Sequence, residues 1–106
     1  ARDRTRGSKL PIEFLVHAQT QRNARALGMF DRGALVPGMK ADINIIDFDK
    51  LDLSAPQIVN DLPAGGRRLI QKAKGYVSTI VSGQVVMEQG QATGSLPGQL
   101  VRSSRN

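Results

Sequence analysis

Residues 76–88, YVSTIVSGQVVME, decide the fold of this chain. Two runs rich in β-branched side chains, 76–81 and 84–88, flank the dipeptide Ser82-Gly83. A two-residue connection between such runs predicts a β-hairpin, because the glycine tolerates the positive φ that tight primed turns require. We therefore expect an antiparallel sheet in the C-terminal half of the chain.

Upstream of the hairpin, the sequence predicts one further strand and a long loop. The stretch 41–48, ADINIIDF, is short and rich in isoleucine, which predicts a strand with Ile43 and Ile45 on the same face. Residues 49–75 contain two prolines and a glycine pair, so most of this region is predicted to be loop, with at most a short helical turn at 67–74. The tail after Gly94 is predicted to add one edge strand before Arg102.

Residues 11–28 predict a kinked pair of helices. Pro11 suits a first helical turn, and apolar residues follow at three- and four-residue spacing (Ile12, Leu15, Val16). Thr20 is a candidate N-cap for the second helix, and Gly28 is well placed as the left-handed residue that ends it.

These elements together predict an α+β chain, with an N-terminal helix pair followed by a mainly antiparallel β-sheet. We divide the sequence into a polar, loop-like start at 1–10, a helical segment at 11–33 and a β-rich segment at 34–106 that contains hairpin 76–88. Eight apolar residues form the expected core: Leu15, Val16, Leu27, Ile43, Ile45, Val77, Ile80 and Val85.

The composition excludes several classes of function. A chain of 106 residues suits one domain with a modest core and is too short for a complete large enzyme fold. The sequence contains no cysteine, which excludes thiol catalysis and disulfides, and one histidine cannot build a multi-histidine metal site. No apolar run approaches the roughly 20 residues that a bilayer requires, so we expect no membrane partner. The absence of cysteine is compatible with the cytoplasm, which is the location that we expect.

The charge balance raises an alternative function. Fifteen Lys and Arg against nine Asp and Glu give a net charge of +6, which is compatible with an acidic partner. The alternative is a basic stand-alone module that binds nucleic acid or another anion through Arg2, Arg4, Arg6, Arg67, Arg68 and Lys72. Aromatic residues are not interleaved with these cations as stacking partners, so we favour a solvated charged surface and do not expect nucleic acid as the partner.

Three groups of residues carry candidate chemistry, and for each we favour a structural interpretation. The stretch 63–68, PAGGRR, offers amides and guanidinium groups to an anion, but it lacks the strand and helix context of phosphate-binding loops. His17 suits a helix surface or a packed position. Four aspartates bracket a strand, where capping is more common than metal binding: Asp42, Asp47, Asp49 and Asp52. The sequence therefore predicts no catalytic, cofactor-binding or metal-ligating residue.

The order of the motifs resembles a known superfamily over most of the chain, from about Arg4 to Arg102. The run 20–29, TQRNARALGM, and the stretch 40–47, KADINIID, are similar to the C-terminal part of the amidohydrolase superfamily, as are Asp31-Arg32-Gly33 and Pro37-Gly38 between them. Other pieces resemble its N-acyl-D-amino-acid deacylase branch: DLPAGGRR at 61–68, the hairpin at 77–86, TG at 93–94, LPG at 96–98 and LVR at 100–102.

The resemblance implies a (β/α)₈ barrel with a metal site, together with a small β-sandwich built from both ends of a longer chain. The polar start, ARDRTRGSK without an initiator methionine, is expected to be a cut through that longer protein. Residues 11–28 would then be the final barrel helices, and the barrel that carries zinc or another divalent metal and the catalytic residues would be the missing partner. The resemblance implies a C-terminal structural segment that is inactive alone, and its uncovered strands predict a homo-oligomer.

Overall fold

The computed structural model describes residues 5–102. The chain divides into two compact units, of which one contains the described residues 5–42 and 98–102 and the other contains residues 43–97. The first unit holds both helices, and the second holds all the strands. The chain is therefore α+β with antiparallel strand pairing, in agreement with the predicted fold class.

The predicted helix pair is confirmed in the first unit. Helix α1 spans Ile12–Gln19 and helix α2 spans Gln21–Ala26. Thr20 separates them and occupies the predicted N-cap position of α2, where its carbonyl accepts a 3.0 Å hydrogen bond from the Ala24 N–H. Its side chain does not cap the helix, because its hydroxyl donates a 2.7 Å hydrogen bond back to the Val16 carbonyl. In the described part of the chain, no helix is long and apolar enough to cross a membrane.

The C-terminus of α2 ends as the sequence predicts. Gly28 has a φ of 70°, in the left-handed region, and its N–H donates to the Arg25 carbonyl at 3.0 Å. The Met29 N–H donates to the Ala24 carbonyl at 2.8 Å. These two bonds form a Schellman motif, which satisfies carbonyl groups that the end of a helix leaves without partners.

A second glycine brings the following turn close to α2. Gly33 has a φ of 92°, and a Cβ atom at this position would lie 2.8 Å from the Gln21 Cα and 3.1 Å from the Ala24 Cβ. Ala24 is 8% exposed, and it is the one buried apolar side chain in the described residues. The packing around Ala24 therefore depends on a close approach of the Gly33 backbone to α2, which a larger residue at position 33 would prevent.

The second unit contains eight short strands. They are β1 (Ile43–Ile46), β2 (Asp52–Leu53), β3 (Gln57–Leu62), β4 (Gly66–Ile70), β5 (Ala73–Lys74), β6 (Tyr76–Val81), β7 (Gln84–Glu88) and β8 (Gln91–Ala92). Four of them form one antiparallel sheet in the order β1-β6-β7-β8, while β2 pairs with β5 and β3 pairs with β4.

The hairpin in the four-stranded sheet forms where the sequence predicts it. Val81 of β6 lies opposite Gln84 of β7, and the turn residues Ser82 and Gly83 have φ values of 49° and 78°. Positive φ at both central positions defines a type I′ turn, whose twist matches that of paired strands. The same geometry recurs between β7 and β8, where Gln89 and Gly90 have φ values of 48° and 78°.

The prediction that most of residues 49–75 form a loop is wrong. Strands β3 and β4 make a hairpin whose tip is a 3₁₀ turn at Pro63–Gly65. Pro56 precedes β3 and Pro63 lies in the tip, so neither proline removes a donor from the ladder. The short helical turn predicted within 67–74 is likewise strand, in β4 and β5.

The tail also differs from the prediction. No strand forms within the described residues 93–102, whereas the short strand β8 lies earlier, at Gln91–Ala92. The glycine and proline residues that suggested an edge strand therefore follow the sheet rather than extend it.

The predicted core is only half correct. Leu15, Ile43, Val77 and Ile80 are half-buried. Four other residues predicted to be in the core are exposed, Leu27 by 62%, Val16 by 52%, Ile45 by 47% and Val85 by 40%. The strand register accounts for the half-buried isoleucines of the sheet. Ile80 lies opposite Ile43 on one side and opposite Val85 on the other, so these three side chains form a cross-strand row. The alternation of apolar residues thus selects one face of the sheet, on which Ile45 and Val85 remain substantially exposed.

A close backbone approach at Gly75 yields a test of the second unit. Gly75 has a φ of 90°, and a Cβ there would lie 2.7 Å from both the Cα and the N of Leu51. Gly94 has a φ of 91° but no atom within 4 Å of such a Cβ. Gly94→Ala therefore adds only backbone strain, about 1 kcal/mol, whereas Gly75→Ala also adds overpacking of about 1–3 kcal/mol.

Urea denaturation of the two variants measures this difference. We expect Gly75→Ala to lower the free energy of unfolding by more than Gly94→Ala does. Equal losses would show that the backbone of residue 75 does not approach that of residue 51.

Candidate functional site

The residues with candidate metal or acid/base chemistry are exposed or make contacts within their own unit of the chain. His17 is exposed in the last turn of α1. The Asp42 carboxylate lies 3.5 Å from Arg32 Nη1, and the Asp47 carboxylate lies 3.3 Å from Lys50 Nζ. Asp52 Oδ1 accepts a 2.8 Å hydrogen bond from the Leu53 N–H. Within residues 5–102, no group of three or more His, Cys, Asp or Glu could hold a metal ion. These residues do not fit a metal centre, so no chemical step through a metal can be derived from them.

Arg32 makes a cross-link that its sequence motif, Asp31-Arg32-Gly33, did not predict. Its Nε and Nη2 donate to the two carboxylate oxygens of Asp31 at 3.0 and 3.3 Å, and its Nη1 donates to Asp42 Oδ2 at 3.5 Å. The Lys40 N–H closes the same loop by donating to the Asp31 carbonyl at 2.7 Å. The hydrogen bond to Arg32 lowers the pKa of Asp31, and the same bond raises the pKa of Arg32. Arg32 thus joins the turn after α2 to the residue before β1.

A depression of about 450 Å³ lies beside this cross-link. Its lining consists of Gly28, Met29, Phe30, Asp31, Arg32 and Arg102. Because the Arg32 guanidinium already serves two carboxylates, it is poorly available as a receptor for an added anion. The depression lacks the convergent acid, base and nucleophile that catalysis requires, so its polar groups form a structural cross-link.

The glycine-rich stretch PAGGRR is the tip and first strand residues of the β3–β4 hairpin. Ala64 and Gly65 turn the chain with φ values of 58° and 71°. The Arg68 Nε and Nη2 donate to the two oxygens of Asp61 at 2.7 and 2.6 Å, in a bidentate ion pair. This pair occupies one of the two guanidinium groups that an anion site would need, which favours the structural interpretation of the stretch.

The cations proposed for nucleic-acid binding fall in both units of the chain, with Arg6 in the first and Arg67, Arg68 and Lys72 in the second. Arg2 and Arg4 lie outside the described residues, and Arg68 is held by Asp61. Arg67 and Lys72 are exposed on and after β4. Arg68 thus has an acidic partner, and the alternative function stays without support from the structure.

Comparison with known proteins identifies the class to which this chain belongs. Residues 1–87 match the model of the amidohydrolase family, which is most of the chain. The chain is a member of the amidohydrolase family. This result confirms the superfamily resemblance, whereas the deacylase branch remains a prediction.

A curated relative is similar to most of this chain. The chain is 40% identical over 82 residues to a 5-methylthioadenosine/S-adenosylhomocysteine deaminase of Pelotomaculum thermopropionicum. The match includes 77% of this chain and 18% of the relative, so the chain spans less than a fifth of that protein's length. No solved structure matches the chain significantly.

The ion pair across the β3–β4 hairpin predicts a measurable titration. Its hydrogen bonds lower the pKa of Asp61, which means that the pair stabilises the fold above the unfolded-state pKa, and that this stabilisation is lost as the pH falls through the lowered value. In Arg68→Gln, we expect the Asp61 pKa to rise toward the ordinary value of about 3.9.

Carbon-detected NMR of the carboxyl groups measures this pKa directly. Arg67→Gln is the matched control, because it removes a neighbouring cation whose side chain makes no hydrogen bond to Asp61. An Asp61 pKa that stays low in Arg68→Gln, or that rises equally in Arg67→Gln, would contradict the assignment.

Proposed function

We propose that this chain is the C-terminal structural segment of a metal-dependent amidohydrolase and that it hydrolyses nothing by itself. The observation that carries the proposal is the family match over residues 1–87 in a chain whose sheet aligns apolar side chains without covering them. Rows of exposed apolar residues on an ordered sheet fit a segment that packs against further protein. The proposed role is therefore to scaffold an enzyme whose reacting groups lie in another part of its sequence.

The helices support the same role. Three apolar residues of α1 are substantially exposed, at 44% for Ile12, 51% for Phe14 and 52% for Val16. In our proposal α1 and α2 are the last helices of the (β/α)₈ barrel, where such residues pack against barrel strands. The strands of residues 43–97 would be the C-terminal share of the small β-sandwich.

The catalytic groups and the metal ion, zinc or another divalent metal in our proposal, would belong to the barrel of the parent protein. A bound divalent metal activates water for attack on a carbon–nitrogen bond. The residues of the present chain would contribute through packing, since Arg32 and Arg68 are engaged in local ion pairs. We place the parent enzyme in the cytoplasm.

Two substrate classes follow from different observations. The motifs at 61–68 and 96–98 resemble the deacylase branch and favour the amide bond of an N-acyl-D-amino acid. The 40% identity to a deaminase named for 5-methylthioadenosine and S-adenosylhomocysteine favours hydrolytic removal of an amino group instead. Both reactions add water across a carbon–nitrogen bond, and the first is the substrate class that we propose.

The first test is hydrolysis by the purified chain with added zinc. N-acetyl-D-amino acids and 5-methylthioadenosine are the two substrates, and the full-length Pelotomaculum deaminase is the positive control for the second. We expect no turnover of either substrate by the chain. Metal-dependent turnover that copurifies with the chain would refute the scaffold role.

A chimera tests the scaffold role positively. The 82 matched residues of the Pelotomaculum deaminase are replaced with their counterparts from this chain. We expect deaminase activity to be retained within about tenfold, because the segment supplies packing rather than reacting groups. If the chimera folds and binds metal but loses activity by orders of magnitude, the segment contributes to chemistry and the proposal is wrong.

A further inference from the structure

Residues 33–42 of the first unit connect α2 to β1 without forming a helix or a strand. Apolar burial contributes little to their position. Leu35 is 79% exposed and Val36 is 51% exposed, while Ala34 and Met39 are half-buried. A stretch with so few buried apolar contacts depends on polar contacts and on backbone packing at its ends.

The first end of this stretch is fixed by packing against α2. Gly33 approaches the helix so closely that a Cβ atom there would lie 2.8 Å from the Gln21 Cα and 3.1 Å from the Ala24 Cβ. The approach covers Ala24, which is 8% exposed. This contact fixes where the stretch leaves the helix, but it does not hold the residues that follow.

The second end is fixed by hydrogen bonds to the turn before Gly33. The Lys40 N–H donates to the Asp31 carbonyl at 2.7 Å, which brings the end of the stretch back to its beginning. Two further backbone hydrogen bonds lie within the stretch itself, from the Met39 N–H to the Val36 carbonyl and from the Asp42 N–H to the Lys40 carbonyl.

Arg32 adds charged contacts at the same closure. Its guanidinium binds both carboxylate oxygens of Asp31, and its Nη1 lies 3.5 Å from Asp42 Oδ2. The Arg32 side chain is 20% exposed, so solvent screens these contacts less than it screens a fully exposed ion pair. One cation thus holds two carboxylates that would repel each other without it.

We infer that residues 33–42 form a strap that opens and closes as one local unit, and that Arg32 holds it closed. Opening separates Lys40 and Asp42 from the turn at Asp31 and uncovers Ala24, while the C-terminal end of α2 stays folded. The inference goes beyond the proposed scaffold role and does not depend on it, because every contact involved lies in the first unit.

Amide hydrogen exchange measured by NMR tests the strap. The Lys40 amide reports opening, because its hydrogen bond to Asp31 closes the strap. The Met29 amide is the internal reference, since it donates to the Ala24 carbonyl at 2.8 Å in the same unit but outside the strap. We expect Arg32→Gln to speed Lys40 exchange by about tenfold and to leave Met29 exchange within about twofold.

Two variants are matched controls. Arg68→Gln removes a comparable bidentate ion pair from the other unit, and Leu35→Ser removes an exposed apolar side chain from the strap itself. Both are expected to leave Lys40 exchange within about twofold. Arg32→Lys keeps the charge but loses the planar fork, so we expect an intermediate increase.

A salt series on the unmodified chain provides a test that does not require Arg32→Gln to fold. Raising the salt concentration to about 0.5 M weakens ion pairs, so the ratio of Lys40 to Met29 exchange rates should rise. Where Arg32→Gln does fold, its ratio should respond less to salt.

Three results would overturn the inference. Unchanged Lys40 exchange in Arg32→Gln would show that the guanidinium does not hold the strap. An equal increase in Leu35→Ser would assign the closure to apolar contacts instead. A joint increase at Lys40 and Met29 would show that residues 33–42 open only when the whole unit unfolds.

Discussion

The larger unit depends on strand β6, which pairs with another strand on each of its two edges. It bonds to β1 on one side, with Ile80 opposite Ile43, and to β7 on the other, with Ile80 opposite Val85. This double pairing aligns three branched side chains across the sheet and places Thr79 Oγ1 2.9 Å from Asn44 Oδ1 on the opposite face. Without β6, the segment before residue 47 and the meander after residue 83 would have no common partner.

Irregularities in the pairing of β6 shape the rest of the sheet. The register shifts between Ile45 and Ile46 on the β1 side and between Thr79 and Ile80 on the β7 side. Near the second shift, Thr93 donates through its N–H to the Val86 carbonyl at 3.0 Å and through its hydroxyl to the Val85 carbonyl at 2.7 Å. Bulges bend a strand and increase its twist. The side chain of Thr93 thus supplies a partner where the regular ladder is disrupted.

Local chemistry could be predicted from the sequence, whereas features that depend on distant pairing could not. Ser82-Gly83 and Gly28 adopt the expected left-handed conformations because each requirement is met within a few residues. The β3–β4 hairpin was missed because Pro56, Pro63 and the glycine pair were counted as strand breakers, although they lie before the strand and at the tip. The ion pairs of Arg32 and Arg68 were not predicted, because turn geometry and strand register decide which acidic residue each arginine meets. The exposure of Ile45 and Val85 depends on what covers the sheet, which an alternating pattern alone does not specify.

The topology of the sheet also affects the order in which its strands form during folding. Strands β6, β7 and β8 are joined by two-residue turns, so their pairing closes short loops. The pairing of β1 with β6, in contrast, closes a loop that contains residues 47–75. Short loops close with less entropy loss, and local contacts form faster. The hairpins β6–β7 and β7–β8 are therefore expected to form first, and β1 to add last. Until β1 pairs, one edge of β6 has no partner strand. That edge can then pair with β1 of the same chain, which gives a monomer, or with β1 of another chain, which gives a strand-exchanged assembly.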